Sequence, residues 1–212
     1  MAVVGIIPAA GSGERLGASG PKAFADCAGR PLLDWSLDVL AEVCDRVVVA
    51  VPPGFENGSG DRVRGGDSRS ASVRNALAAA PEATVVVVHD AARPLVTRSL
   101  VERCIVALSG WDGAIAAAPV TDTVKEAGGD GRVLRTLERS SLWAIQTPQV
   151  FEADVLRRAL EADDEVLAAA TDDASLVEAA GGSVRVVEAP AENVKVTRQV
   201  DLLLAETLLR AH

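Results

Sequence analysis

The sequence is poor in the residues that build metal clusters, disulfide frameworks and catalytic triads. Its three cysteines, Cys27, Cys44 and Cys104, are odd in number, and their spacing fits neither a metal-ligand set nor a disulfide framework. One histidine, His89, is internal, and it has no suitable partner nucleophile with which to form a triad. We therefore expect buried free thiols and a histidine with a structural role.

Positive charge and long apolar runs are also scarce. The net charge of −9 argues against a nucleic-acid surface, although a local basic cluster could still bind a small anion. No apolar run approaches the length that spans a membrane, and Met1 leads straight into a strand rather than a signal peptide. We therefore expect a cytoplasmic protein that binds small molecules and has neither nucleic-acid nor membrane partners.

Lysine is the rarest charged residue of the chain. There are 18 arginines but only three lysines, at positions 22, 125 and 195. A lysine ammonium is a compact charge that binds phosphate without the planar fork of arginine. We therefore expect Lys22, Lys125 and Lys195, more than the arginines, to have a specific role rather than to be ordinary surface charges. Chance placement is the alternative.

What the sequence has in abundance is apolar strands that alternate with helices. Hydrophobic residues make up 49% of the chain, and the apolar segments are nearly continuous. This pattern predicts an α/β fold in one domain, residues 1–212: a Rossmann-like, three-layer, mostly parallel sheet with helices on both faces. Strands are predicted at 3–8, 46–51, 84–89, 114–120, 183–187 and 193–196. Helices are predicted at 31–44, 70–80, 97–109, 152–162 and 197–210, and between an N-cap at Thr171 and Gly181.

One segment breaks this alternation. Residues 121–126 and 132–137 flank Gly128-Gly129-Asp130-Gly131, which is a good hairpin turn. A two-stranded hairpin is marginally stable by itself in water, so it must lie against a second subunit or against its own domain. We expect residues 121–143 to form a protruding β-hairpin arm, and a homodimer is the economical explanation.

The most informative segment is the loop of small residues after the first strand. It contains Gly11-Ser12-Gly13 and delivers Arg15 and Lys22 to one place. Small residues let backbone N–H groups approach an anion, a following helix N-terminus favours negative charge, and the two side chains add full positive charges. The loop predicts a polyphosphate site with phosphoryl chemistry. The alternative is a plain strand–helix turn with solvated charges.

Three commoner glycine-rich loops do not match this segment. No Gly-Lys-Ser/Thr run closes it, as a P-loop requires. The position three residues after Gly13 is Leu16, and the second strand runs into two prolines rather than an acidic residue, which excludes a dinucleotide fingerprint. The chain also has no Asp-Phe-Gly run, so the loop is not that of a kinase.

A carboxylate is expected at the same edge of the sheet as this loop. The strand at 84–89 ends at Asp90, and ligands of parallel sheets bind beyond the C-terminal ends of the strands. A single carboxylate beside a polyphosphate is a usual ligand for Mg²⁺, whereas the alternative role for Asp90 is to cap the following turn. Hydroxyl and basic residues in loops or at element ends suit a phosphate monoester, and they are Thr123, Arg139, Thr147, Thr171 and Lys195.

An ordered set of segments resembles a known family over nearly the whole chain. Residues 9–16 with Pro21-Lys22 are similar to the signature of nucleotidyltransferases that attach sugars or polyols to nucleotides. The further segments 65–73, 88–94, 122–125, 146–149, 171–174 and 193–197 narrow the resemblance to the 2-C-methyl-D-erythritol 4-phosphate cytidylyltransferase family. Each segment is weak by itself, but the ordered set is specific. The main departure is at residues 52–60, where the family commonly has a longer loop with a helix.

The resemblance implies a reaction and a role for each matched residue. The acceptor phosphate would attack CTP and release pyrophosphate, and no general base is needed because that phosphate is already largely ionised. The implied cytidine pocket consists of Ala9, Ala10, Gly11, Gly13, Gly66, Asp67 and Ser72. Arg15 and Lys22 would stabilise the transition state, and Asp90 would hold Mg²⁺. The implied acceptor site consists of Arg93, Thr123, Arg139, Thr147, Thr171 and Lys195.

Two questions remain open at this point. The arm of this family crosses to a second subunit, so Thr123 and Arg139 could act in their own site or in the partner's. One alternative function is that of a ribitol 5-phosphate cytidylyltransferase, which shares almost every one of these segments. The other is a nucleotide-binding regulator without catalysis, against which the joint presence of Arg15, Lys22, Asp90 and Lys195 argues. Pyrophosphate release from CTP with each polyol phosphate in turn would separate them.

Overall fold

The computed structural model describes residues 1–13, 16, 20–58 and 60–211. Its strands are β1 (Val3–Pro8), β2 (Asp26–Cys27), β3 (Arg30–Pro31), β4 (Arg46–Val51), β5 (Asp61–Arg64), β6 (Val85–Val88), β7 (Gly113–Pro119), β8 (Lys125–Ala127), β9 (Val133–Thr136), β10 (Trp143–Glu152) and β11 (Val184–Glu188). Its α-helices are α1 (Leu32–Val43), α2 (Arg69–Ala78), α3 (Arg98–Ala107), α4 (Ala153–Ala159), α5 (Asp164–Ala169), α6 (Asp173–Ala179) and α7 (Gln199–Leu209).

The predicted Rossmann-like architecture is confirmed. Within the described ranges, a central sheet of seven strands runs in the order β11-β7-β10-β6-β1-β4-β5. Every neighbouring pair is parallel except the pairs of β10 with β6 and β7, which are antiparallel. The carboxyl ends of β1 and β6 therefore meet at one edge, which is where ligands of such sheets bind.

Helices cover both faces of the sheet because its strands are apolar on both sides. Ile7 of β1 packs in one buried cluster with residues of α1 and α3. Ile6, the preceding residue, packs in a second cluster with residues of α2, α4, α5 and α6. Successive side chains of a strand point to opposite faces, so a continuous apolar run supplies both clusters at once. The result is the three-layer fold.

The sequence pattern misses β10, β5 and α5, and also the two-residue strands β2 and β3. The stretch that becomes β10 contains two glutamines, a threonine and a proline, and this breaks its apolar run. The register of β10 against β7 shifts between Ile145 and Gln149, which accommodates that interruption. The edge strand β5 has three charged residues and one valine over only four positions, which is too short and too polar a run for a periodicity argument.

Several predicted boundaries are wrong. Residues 193–196 do not form a strand; Val196 instead donates its backbone N–H to the oxygen of Ala92 at 2.8 Å. Thr171 is not the N-cap of α6, because the carboxylate of Asp172 accepts the N–H of Ser175 at 3.0 Å. The last helix begins at Gln199 rather than residue 197, since Asp201 accepts the N–H of Arg198 just before it. Pro31 precedes α1 instead of lying in its first turn.

The predicted hairpin is present. Strands β8 and β9 pair with each other in an antiparallel sheet of their own, and every residue of both strands is exposed. The three cysteines are buried and free, as expected. Among the helices of the described ranges, none combines the length and apolar character that a membrane crossing requires.

Candidate active site

The loop after β1 forms one wall of a cavity of about 500 Å³, called the first pocket here. The residues expected around a cytidine all line it: Ala9, Ala10, Gly11, Gly13, Gly66, Asp67 and Ser72. Lys22 lines the same cavity. Arg15, the other expected transition-state residue, lies outside the described residues.

Glycine brings the backbone of Lys22 close to the loop. Gly13 has φ +77°, a conformation that other residues adopt only with strain. A Cβ at Gly13 would also lie 2.9 Å from the backbone nitrogen of Lys22. The N–H of Lys22 donates to the oxygen of Gly11 at 3.3 Å, which closes the loop onto itself.

The opposite wall of the first pocket is the start of α2. Ser68 caps this helix by accepting the N–H of Ala71 at 3.1 Å, and Ser72 Oγ accepts the N–H of Gly66 at 3.1 Å. A Cβ at Gly65 would overlap the Cβ of Ala10. The two walls therefore approach too closely for any larger residue at position 65. This explains why Gly65 on one wall faces the small residue Ala10 on the other.

Asp90 follows β6 and lies between two cations. Arg69 Nε contacts its Oδ1 at 3.0 Å, and Lys195 Nζ contacts its Oδ2 at 2.6 Å. Burial would raise the pKa of Asp90, but the charges and hydrogen bonds of Arg69 and Lys195 outweigh burial and hold this pKa well below its usual range. The carboxylate is therefore ionised at neutral pH.

Arg69 is a site residue to which sequence reasoning assigned no role. Its Nη1 also contacts Asp173 Oδ2 at 2.6 Å, and the side chain of Asp173 is wholly buried in the first turn of α6. Arg69 itself is the first residue of α2, where the helix dipole disfavours a positive charge. An arginine at such a position indicates that carboxylates lie nearby, and this signal could have identified it.

A second cavity, of about 440 Å³, adjoins the first and is called the second pocket here. Four of the six expected acceptor residues line it: Arg93, Thr147, Thr171 and Lys195. The other two, Thr123 and Arg139, lie on the exposed hairpin segment and line neither pocket of this chain. Arg139 donates instead to the oxygen of Thr121 at 2.6 Å.

A buried hydrogen-bond chain supports the second pocket. His89 Nε2 lies 3.3 Å from the oxygen of Arg93, so this nitrogen carries the proton. Burial lowers the pKa of His89 to about 4, so the ring is neutral and its Nδ1 accepts the hydroxyl of Thr147 at 3.0 Å. Thr147 Oγ1 in turn accepts the N–H of Asp90 at 3.0 Å. His89 thus has the structural role expected of it.

Amide side chains join the loops around the second pocket. Asn193 Nδ2 donates to Gln146 Oε1 at 2.7 Å and to the oxygen of Thr147 at 2.9 Å. The backbone oxygen of Asn193 accepts Arg93 Nη1 at 2.7 Å. The Nε of Arg93 is buried and has no hydrogen-bond partner among the residues described, so this guanidinium has a donor to offer a ligand.

The carboxylates present could contribute one ligand to a magnesium ion. Within residues 1–13, 16, 20–58 and 60–211, no three His, Cys, Asp or Glu side chains are grouped to hold a metal. Mg²⁺ commonly takes only one or two protein carboxylates and completes its shell with phosphate oxygens and water. Asp90, ionised and on the wall of both pockets, fits that single role.

Comparisons with known proteins agree over nearly the full length. The family model described as 2-C-methyl-D-erythritol 4-phosphate cytidylyltransferase matches residues 3–211. Relatives of that name from Frankia casuarinae and Rubrobacter xylanophilus are 45% and 44% identical, over 98% of this chain and 81% and 95% of theirs. The crystal structure of 2-C-methyl-D-erythritol 4-phosphate cytidylyltransferase from Thermus thermophilus is 40% identical, with a TM-score of 0.85 over 99% of this chain and 100% of that chain.

Proposed function

The chain belongs to the 2-C-methyl-D-erythritol 4-phosphate cytidylyltransferase family, and from this premise we propose how its two pockets divide the reaction. The activity is the transfer of a cytidylyl group from CTP to 2-C-methyl-D-erythritol 4-phosphate in isoprenoid biosynthesis. It yields the cytidine diphosphate derivative and pyrophosphate. The first pocket binds CTP, and the second pocket binds the acceptor.

The observation that carries this proposal is the boundary between the pockets. Arg69, Asp90 and Lys195 line both cavities, so a group bound in one is next to a group bound in the other. The reaction requires this adjacency, because an acceptor phosphate oxygen must approach the α-phosphorus of CTP in line with the departing pyrophosphate. Fixing the two reactants there supplies much of the rate acceleration.

The CTP pocket provides contacts to the base and positive charge at the phosphates. Ala9, Ala10, Gly11, Gly13, Gly66, Asp67 and Ser72 surround the cytidine. Lys22 and Arg15 neutralise the negative charge that develops as the bond to pyrophosphate breaks. No side chain has to remove a proton, because the second pKa of a phosphate monoester is about 6.

The acceptor is held by the polar residues of the second pocket. Arg93, whose buried Nε lacks a partner in the described part of the chain, binds the acceptor together with Lys195, Thr147 and Thr171. The hydroxyl proton of Thr147 is engaged with His89, so Thr147 contributes an acceptor lone pair. Lys195 at the boundary places its charge beside the acceptor phosphate.

Asp90 is the residue that would hold Mg²⁺. The ion, when bound, neutralises charge on the triphosphate and its leaving group. Both oxygens of Asp90 contact cationic side chains, so Asp90 would give the ion an oxygen that Arg69 or Lys195 contacts in this structure. Phosphate oxygens and water would complete the coordination of the ion.

The hairpin segment, residues 121–143, extends from a single domain of residues 1–212 and completes the site of a second subunit. Val133 and Leu134 are 55% and 61% exposed, which suits a surface that a partner covers. Thr123 and Arg139, which line neither pocket of their own chain, then serve the partner's acceptor site. This homodimer operates in the cytoplasm.

Pyrophosphate release from CTP tests the proposal. We expect rapid, Mg²⁺-dependent release with 2-C-methyl-D-erythritol 4-phosphate and much slower release with ribitol 5-phosphate. Preference for ribitol 5-phosphate would assign the alternative acceptor. CTP binding without release in the presence of either acceptor would indicate a nucleotide-binding regulator.

A further inference from the structure

The acceptor pocket has an apolar side that a polyol phosphate does not obviously need. Ile115, Ile145, Val184 and Val186 line the second pocket, and we call these four residues the apolar floor. Ile145 and Val186 are 41% and 36% exposed and both line this pocket, so apolar surface is open to a ligand there.

The strand register places the four side chains on one face of the sheet. Ile115 of β7 lies opposite Val186 of β11, and Val184 is two residues before Val186 on the same strand. Ile145 of β10 lies opposite Ala117, two residues after Ile115. Side chains two residues apart on one strand lie on the same face of the sheet, and so do the side chains of residues directly opposite each other on neighbouring strands. The floor is therefore one continuous apolar surface across three strands.

The floor lies on the side of the pocket away from CTP. In the sheet order, β6, which leads to Asp90, is followed by β10, then β7, then β11. Neighbouring strands are roughly 4.8 Å apart, so β7 lies roughly 10 Å from β6. A phosphate that reacts at the boundary near Asp90 would direct its carbon chain across β10 toward the floor.

The acceptor carries one apolar group in the matching position. Its phosphate is on the fourth carbon and its methyl branch on the second, so the methyl lies further from CTP than the phosphate does. We propose that the apolar floor receives this methyl branch and selects the branched acceptor over unbranched polyol phosphates. This inference rests on the proposed assignment of the second pocket to the acceptor.

The size of the effect follows from the burial of one methyl group. One methyl group more or less in an apolar pocket changes kcat/KM by roughly 10- to 200-fold. D-Erythritol 4-phosphate is the acceptor without the branch, so the ratio of kcat/KM for the two acceptors isolates the contribution of the methyl group. We expect this ratio to fall in that range for the unmodified enzyme.

Two variants test the floor itself. Val186→Thr keeps the shape of the side chain and replaces one methyl with a hydroxyl. Ile145→Thr, on the other side of the floor, replaces an ethyl group with a hydroxyl and also shortens the side chain. Ile145→Thr, on the strand next to β6, should lower the kcat/KM ratio several-fold, mainly by reducing kcat/KM for the branched acceptor, and Val186→Thr, two strands further from β6, should lower it less. Val106→Thr is the control, because Val106 is 77% exposed on α3 and lines neither pocket.

The possible outcomes separate this inference from the proposed function. Equal use of both acceptors by the unmodified enzyme would overturn the role of the floor and leave the cytidylyltransferase activity unaffected. So would two folded variants that both keep the kcat/KM ratio of the unmodified enzyme. A similar decrease of the kcat/KM ratio in Val106→Thr would also overturn the role of the floor. An enzyme inactive with both acceptors would instead refute the proposed function, and with it this inference.

Discussion

Lys22 is the residue on which the proposed chemistry of the first pocket depends most directly. Gly13 and Gly11 hold its backbone against the loop, and Lys22 lines the first pocket. We expect Lys22→Ala to lower kcat by roughly 10²-fold or more, as the loss of one electrostatic stabiliser of a transition state typically does. The control is Arg98→Ala, which removes an exposed positive charge on α3. Near-normal turnover of CTP by Lys22→Ala would contradict the assignment.

Arg69 matters for stability as well as for the site. Arg69→Ala removes the ion-pair partner of the fully buried Asp173, and breaking such a pair typically costs about 3–5 kcal/mol. Arg74 is the matched control on the same helix, because its ion pair with Asp164 is exposed and contributes about 0–1 kcal/mol. Urea unfolding of both alanine variants measures the difference, and equal losses would show that burial of the Arg69 pair has no energetic consequence.

His89 makes the stability of the fold depend on pH. Its pKa is about 4 in the folded protein, below the value of about 6.5 for an unfolded chain. The unfolded state therefore binds more protons between these values, and stability is lost as the pH falls from about 6.5 to about 4. From pH 7 to pH 5 this one group should cost about 2 kcal/mol in the free energy of unfolding.

Urea unfolding of His89→Gln, in parallel with the unmodified chain and without divalent cations, checks this expectation. The carboxylates that titrate are the same in both proteins. A difference between them in the pH dependence of the free energy of unfolding is therefore due to His89. Identical pH dependences would mean that His89 is not held neutral in the folded state.

At the scale of elements, the hairpin segment allows a test of which site its residues serve. In the proposed homodimer, Lys22→Ala and Arg139→Ala should each abolish most of the activity. In a mixed dimer, one site would combine an intact Lys22 with an intact Arg139 from the other subunit. Random reassociation makes half of the dimers mixed, so activity should return to about a quarter of the unmodified value. No recovery after mixing would place Arg139 in its own chain's site or outside both.

Elements with a clear apolar period were predictable from the sequence, and elements without one were not. Residues 3–8 and 46–51 were predicted with the boundaries that β1 and β4 have. Strand β10 was missed because polar residues and a proline interrupt it, and it is stabilised by pairing with β6 and β7 rather than by its own pattern. The prediction of a strand at 193–196 was wrong for a different reason. This segment is held by side-chain hydrogen bonds, such as those of Asn193, and not by pairing with a neighbouring strand.

At the scale of the whole molecule, the two pockets depend on contacts between distant parts of the chain. Arg69 of α2 reaches Asp90 after β6 and Asp173 of α6, 104 residues away in sequence. Lys195 reaches the same Asp90 from the segment before α7. One ionised carboxylate thus links three segments at the boundary between the two pockets, where we propose that the two substrates meet.

The sequence by itself determined the fold class, the glycine loop with Lys22, and Asp90 at the same sheet edge, because these follow from local chain stiffness, periodicity and the order of elements. Only the tertiary structure decided which cations face Asp90, where the second pocket has its apolar floor, and that Thr123 and Arg139 line neither pocket of their own chain. Those features arise from strand order and register, which bring together residues far apart in the chain. Local sequence patterns do not specify which distant residues will meet.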